Sequence, residues 1–284
     1  MRIGTRGSAL ALAQARLVAD RLPVEAELVP IKIGDRAARG GDKVCFVKEI
    51  EEALLAGEVD LAVHSAKDVP SELPAGLAIV GVPERADPRD ALCGAASLDE
   101  LPRGAAVGTS SLRRRAQLLA ARPDLEVRDL RGNVDTRLRK LGEFDAIVLA
   151  AAGLDRLERA GEGNPIPPDR MTPAPGQGCL ALEARVGDEE AAAAAEALTD
   201  REALVCLTAE RALVAELDAS CRTPVGGHAR LEDGRLSLSA FVGLPDGSEW
   251  VRDTLEDDSA DPAAIGREVA ARVLSAGGSE LLPR

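Results

Sequence analysis

GTSSLRRRAQLLAARPDLEVRDLRGNVDTRLR, residues 108–139, decides how this chain reads. It follows a short apolar run, Ala105 to Val107, and its pattern predicts a helix to Ala121, a strand from Leu125 to Arg128 and a second helix from Val134. That order is a βα unit, whose parallel strands leave helix N-termini at their C-terminal ends. Ser110 and Ser111 stand at the predicted start of the first helix, and Arg113, Arg114 and Arg115 follow at once. Arg128, Arg131, Arg137 and Arg139 return after the apolar segment, in a chain of formal net charge -13. A guanidinium forks onto carboxylate or phosphate, each charge-assisted contact contributing about 1.5–3 kcal/mol, and free N–H groups at a helix start add to the attraction. The stretch reads as a polyanion site, with a solvated helix face as the alternative; adjacent Arg113 and Arg114 are expected to point in different directions from one helix.

The same rhythm extends in both directions. Upstream, Arg2 to Thr5 reads as a strand, Ser8 as the cap of a helix from Ala9 to about Leu22, and Glu27 to Ile33 as a second strand. A Gly/Arg/Asp-rich loop, Gly34 to Lys43, precedes a helix from Val47 to Ala56, a strand from Val59 to Val63, the HSAKDVP turn and a strand from Leu77 to Val82. Pro83 to Pro88 breaks the pattern. Downstream, a strand from Ala146 to Leu149 precedes a second punctuated crossing, PPDRMTPAPGQG from Pro167 to Gly178, then a strand-like CLALEARV and an alanine-rich helix from Glu189 to Leu198. The remainder differs in kind: a helix from Arg201 to Leu217, the loop ASCRTPVGGH, three β-like runs near Ala229, Leu236 and Trp250, and a helix from Pro262 to Ala276. The fold class is α/β: two βα domains plus a small C-terminal α+β domain.

Composition narrows the partners. Aromatic residues make up 1% of the 284, too few for base-stacking platforms, and the acidic balance repels nucleic acid and anionic lipid except where arginines cluster. Neither a membrane-spanning apolar run nor an apolar leader before MRIGTRGS is present, so a cytoplasmic protein without nucleic-acid or membrane partners is expected. Five cysteines without a CxxC pair, and only His64 and His228, argue against a disulfide framework and a metal centre.

Two further places can carry chemistry. Lys67 and Asp68 sit in the turn after an apolar strand, the edge of an open α/β sheet where ligands gather; an Asp there can hold an ammonium or move a proton, or it can simply cap the turn before Pro70. Cys221 lies among small residues beside Arg222, which favours an accessible thiolate, although a free cysteine is usually inert. Cys93, Cys179 and Cys206 fall in apolar runs and read as small buried hydrophobes, as His64 reads as structural.

Together these pieces resemble porphobilinogen deaminase, also called hydroxymethylbilane synthase. The resemblance rests on IGTRGSALALAQA (3–15), FVKEIEEALL (46–55), DLAVHSAKDVP (60–70), ERADPRDAL (84–92), GTSSLRR (108–114), LRGNVDTRL (130–138), PGQG (175–178) and Cys221 in its loop, in consistent order nearly end to end. It implies two domains similar to type II periplasmic binding proteins, residues 1–83 with 178–198 and residues 84–177, and a third domain at 199–284. It further implies a dipyrromethane cofactor held by a thioether on Cys221, onto which four porphobilinogen units are joined with loss of ammonia before hydrolysis releases hydroxymethylbilane. Asp68 matches the catalytic aspartate, placed to assist departure of the ammonium and to stabilise cationic intermediates. Lys67, Asp68, Ser110, Arg113, Arg114 and Arg131 match cofactor-binding positions, and Arg6, Ser8, Arg137 and Arg156 substrate-binding ones, with Lys43 and Arg39 as candidates in the loop. Arg115, Arg128 and Arg139 read as surface charge. GGDKVCF (40–46) departs from the family's Gly-Gly-Lys-Gly-Leu-Phe, and Asp42 adds a charge of the wrong sign for an anion clamp. The resemblance also implies a monomer with transient handover to uroporphyrinogen-III synthase. A different class, a non-catalytic anion-binding module of solute-binding type, shares the βα pattern but explains neither Cys221 nor the missing leader.

Overall fold

The computed structural model describes residues 1–32, 44–219, 223–258 and 260–282, and for 44–46 the backbone alone. The backbone divides into two compact units, one of residues 1–86 with 179–205, the other of 87–178 with 206–284.

Unit 1 is built on a five-stranded sheet of β1 (Arg2–Arg6), β2 (Glu27–Ile31), β3 (Leu61–Ser65), β4 (Leu77–Gly81) and β10 (Leu180–Arg185), in the order β2-β1-β3-β10-β4. β1 runs parallel to β2 and β3, whereas β10 runs antiparallel to β3 and β4. Leu61, Val63, Leu180 and Leu182 bury one face with Ile3 and Val18, while Ala62 joins Ile50, Leu54 and Leu77 on the other. Burial on both faces is why these strands read as continuous apolar runs. Helices α1 (Ala9–Ala19) and α2 (Val44–Leu55) supply Val18 and Ile50 to those faces. α1 ends at Ala19, short of the expected Leu22, because its backbone closes on Asp20.

Unit 2 repeats the plan. Its sheet has the order β7-β6-β8-β5-β9, from β5 (Asp90–Cys93), β6 (Ala106–Gly108), β7 (Glu126–Arg128), β8 (Ala146–Ala150) and β9 (Asn164–Pro165). As β10 does in unit 1, β5 lies fourth and antiparallel to its neighbours. Ala146 and Val148 face a cluster with Leu92 and Leu118; Ile147 and Leu149 face one with Ala91 and Leu154. Helices α3 (Leu112–Ala121), α4 (Val134–Arg139) and α5 (Ala151–Asp155) follow β6, β7 and β8 in turn. The sequence did not announce β5 or β9, which have four and two residues.

α6 (Glu189–Glu196) and α7 (Arg201–Glu216) precede an antiparallel meander of β11 (Val225–Glu232), β12 (Arg235–Gly243) and β13 (Trp250–Asp258), which α8 (Pro262–Val273) covers. The expected two βα sheets and small C-terminal sheet are thus observed. The meander is seated on α3: at Gly247, in the turn before β13, a Cβ would come 2.4 Å from the Ala120 nitrogen. Among the described residues no helix is long and apolar enough to cross a membrane.

Candidate active site

In unit 1, β1 and β3 are adjacent and parallel, with Ile3 opposite Leu61 and Gly4 opposite Ala62, so their C-terminal ends share one sheet edge. Arg6 closes β1 there, and β3 passes into one tight turn, Ala66–Asp68, pinned by the Ala66 N–H donating to Cys179 O at 3.0 Å. Gln14 on α1 holds Ser65 at 2.9 Å. Ser8 caps α1 by accepting the Ala11 N–H at 3.3 Å, which leaves the hydroxyl hydrogen for another acceptor. The Arg6 guanidinium is half-buried; burial lowers its pKa, and the nearby Asp68 charge partly offsets that. Arg6 and Asp68 therefore interact across this edge. Lys67 and Asp68 are themselves partly exposed.

One layer down, α2 covers the face of the sheet that carries His64 and Glu183. His64 Nε2 lies 2.9 Å from Glu183 Oε2, both side chains almost wholly buried. Burial and the Glu183 charge raise the pKa of Glu51 on α2, with His64 opposing. His64 is buried against Glu183, a partner that was not legible because it arrives on β10, distant in sequence.

In unit 2 the loop after β6 forms the corresponding edge. Ser110 Oγ donates to Leu130 O at 2.6 Å, and Ser111 caps α3 by accepting the Arg114 N–H at 3.4 Å. As placed, the Ser110 hydroxyl hydrogen is committed to the backbone. Arg131 is exposed, 3.9 Å from Asp129; Arg137 lies on α4, and Arg156, just past α5, donates to Gly178 O at 2.7 Å. Arg113 and Arg114 depart from expectation: they do not diverge. Both are buried, at 4% and 5% exposure, and both guanidiniums turn onto the carboxylate of fully buried Asp90. Two charged forks near the helix start are drawn to one counter-charge at the start of β5, across β8 from β6. Arg128 pairs with Glu126 in solvent, and exposed Arg139 donates to Thr136; Arg115 departs from the expected surface charge, being half-buried with Nη1 donating to Val127 O at 3.0 Å.

The residues sequence reading missed are the partners: Asp90, Gln177, Glu51, Glu183 and Glu210. Asp90 and Gln177 sit inside quoted motifs, but nothing local marked Asp90 as the acceptor of an arginine pair or Gln177 as a further donor to Asp90. Cys221, Lys43 and Arg39 lie outside the described residues, and so does Asp42.

The family model described as porphobilinogen deaminase, dipyromethane cofactor binding domain, matches residues 1–193, and that of the porphobilinogen deaminase C-terminal domain matches 204–275. The chain belongs to the porphobilinogen deaminase family. The porphobilinogen deaminase of Deinococcus radiodurans is 50% identical over 299 residues, covering 99% of this chain and 97% of its own. That of Thermus thermophilus is 50% identical over 292 residues, with the same coverage. A solved TRAP periplasmic solute binding protein from Ralstonia eutropha is similar over 69% of this chain and 76% of its own, at TM-score 0.39 and 13% identity. The relatives' names lend no support to a non-catalytic anion-binding module. Family membership makes the chain an enzyme with a dipyrromethane cofactor, whose acidic side chains call for cationic N–H donors. Each unit's edge carries such donors in its own right: Arg6 and Lys67 in unit 1, and Arg131 and Arg137 beside the buried Arg113 and Arg114 in unit 2.

Proposed function

We infer that this chain joins four porphobilinogen molecules with release of ammonia and then releases linear hydroxymethylbilane by hydrolysis, as a transferase of tetrapyrrole biosynthesis. The family match over residues 1–193 and 204–275 carries the reading. When bound, dipyrromethane supplies the pyrrole end from which the product grows. Cys221 is its proposed attachment point, with Lys67, Arg113, Arg114 and Arg131 holding its carboxylates, joined by Ser110 when its hydroxyl turns from Leu130 O. Arg6, Ser8, Arg137, Arg156 and Lys43 are proposed to take the carboxylates of incoming substrate.

The chain's own part is to orient and to move protons. Asp68, as a carboxylate, accepts hydrogen bonds from the substrate ammonium, holds its nitrogen as the carbon–nitrogen bond weakens, and offsets positive charge left on the ring. The partly desolvated Arg6 keeps a cation near that carboxylate. We further propose three domains, at 1–83 with 178–198, 84–177 and 199–284, in a cytoplasmic monomer that hands its product to uroporphyrinogen-III synthase. Asp68→Asn tests the catalytic role: ammonia release from porphobilinogen should fall about 10²–10⁴-fold with the circular dichroism spectrum unchanged. Release near the wild-type rate would remove Asp68 from the mechanism.

A further inference from the structure

Asp90 opens β5 and is wholly buried, and its carboxylate is the meeting point of three side chains. Arg113 donates to Oδ2 at 2.7 Å and Oδ1 at 3.1 Å, Arg114 Nε donates to Oδ1 at 2.9 Å, and Gln177 Nε2 donates to Oδ1 at 3.0 Å. Each donor also has a second anchor: Arg113 on Thr172 O at 2.7 Å, Arg114 on Val148 O at 2.8 Å, and Gln177 on Pro88 O at 2.7 Å. Consecutive helix residues project about 100° apart, so two adjacent arginines converge only when something outside the helix collects them. Asp90 does so. Because it starts a strand antiparallel to β8, opposite Ala150, it stands at the sheet edge where β6 and β8 end.

The charges do not cancel. Two guanidiniums and one carboxylate leave one positive charge in the interior, and burial lowers the Arg114 pKa against the pull of Asp90. A buried ion pair is weak evidence for stability, since well-packed apolar residues often do as well. A net charged triad is harder still to explain by stability alone.

We propose that Asp90 is the positioning residue of the arginine clamp: it fixes Arg113 and Arg114 in one geometry and reduces their charge to a single surplus for one ligand carboxylate. This rests on the proposed cofactor role of Arg113 and Arg114. It adds that the clamp fails when either its geometry or its charge is changed, even with both arginines intact.

Two variants alter the charge in opposite directions without touching the arginines. Asp90→Asn keeps the side-chain shape and makes the cluster more positive by one; Gln177→Glu makes it neutral. Each full-length chain is expressed beside wild type, the folded fraction is isolated by gel filtration, and the share carrying dipyrromethane is read by intact mass, with melting by circular dichroism as the control. Attraction of charge alone predicts that Asp90→Asn loads as well as wild type or better. Positioning predicts at least a tenfold smaller loaded share for both variants in protein folded at the assay temperature. If Asp90→Asn does not fold, Asp90→Glu decides: it keeps the charge and shifts the carboxylate by one methylene, so charge alone predicts wild-type loading and positioning the same tenfold loss. A folded variant of any of these kinds loaded to within twofold of wild type overturns the proposal. Unloaded wild type would instead overturn the proposed function, so the two failures are distinguishable.

Discussion

Glu210 on α7 is wholly buried, yet it is a carboxylate whose two oxygens take different backbone donors. Gly176 donates to Oε2 at 2.6 Å and Ala229 to Oε1 at 2.7 Å, tying the PGQG segment to β11 through one side chain. Glu210→Gln keeps the size and one acceptor, but sets an amide N–H against a backbone N–H on the other side. A hydrogen bond to a charged group contributes about 1.5–3 kcal/mol, and a buried donor left unsatisfied costs about 1–3 kcal/mol. The two overlap, and we take about 3 kcal/mol for the substitution. At about 2–4 °C per kcal/mol for 150–250 residues, the melting midpoint of the transition reporting unit 2 should fall by about 6–12 °C. The assay is thermal unfolding by circular dichroism near neutral pH. Glu216→Gln, an exposed change on the same helix, should stay within about 0.5 kcal/mol of wild type. A Glu210→Gln midpoint indistinguishable from that control would mean that Glu210 does not tie the PGQG segment to β11.

Glu51 has its folded pKa raised from 4.5, chiefly by burial. Its protonated form thus stabilises the fold fully below about 4.5, and that contribution is lost as pH rises through the folded value. Glu51→Gln should therefore melt increasingly above wild type as pH is raised from 4.5 toward neutrality; a difference that does not change with pH contradicts this. Gly247 has φ +73°, and a Cβ there would stand 2.4 Å from Ala120 N, so Gly247→Ala should destabilise by about 2 kcal/mol or more, read by chemical denaturation. A change under about 0.5 kcal/mol would mean that the turn does not seat on α3 as described.

The βα architecture was legible because both faces of its sheets are buried. β8 sends Ala146 and Val148 to one cluster and Ile147 and Leu149 to the other, which leaves no polar alternation to obscure the strand. β5 was not legible: four residues beginning with an aspartate carry no periodic signal. Local chemistry also placed the arginines after a helix cap, and Ser111 does cap α3. What it did not reveal was where Arg113 and Arg114 turn. Helical spacing implies divergence, and only the tertiary position of Asp90 reverses it. The division between site and surface arginines came from the family resemblance: Arg128 does pair with Glu126 in solvent, but Arg115 is half-buried and donates to Val127 O. The buried pairing of His64 with Glu183 joins β3 to β10, strands distant in sequence, and no window along the chain contains both.

The proposed function turns on a covalent primer on Cys221, which the intact mass of the purified chain reads out. The prediction is an excess over the polypeptide equal to one dipyrromethane, lost in Cys221→Ala. No excess in wild type, or an excess that survives Cys221→Ala, would contradict it.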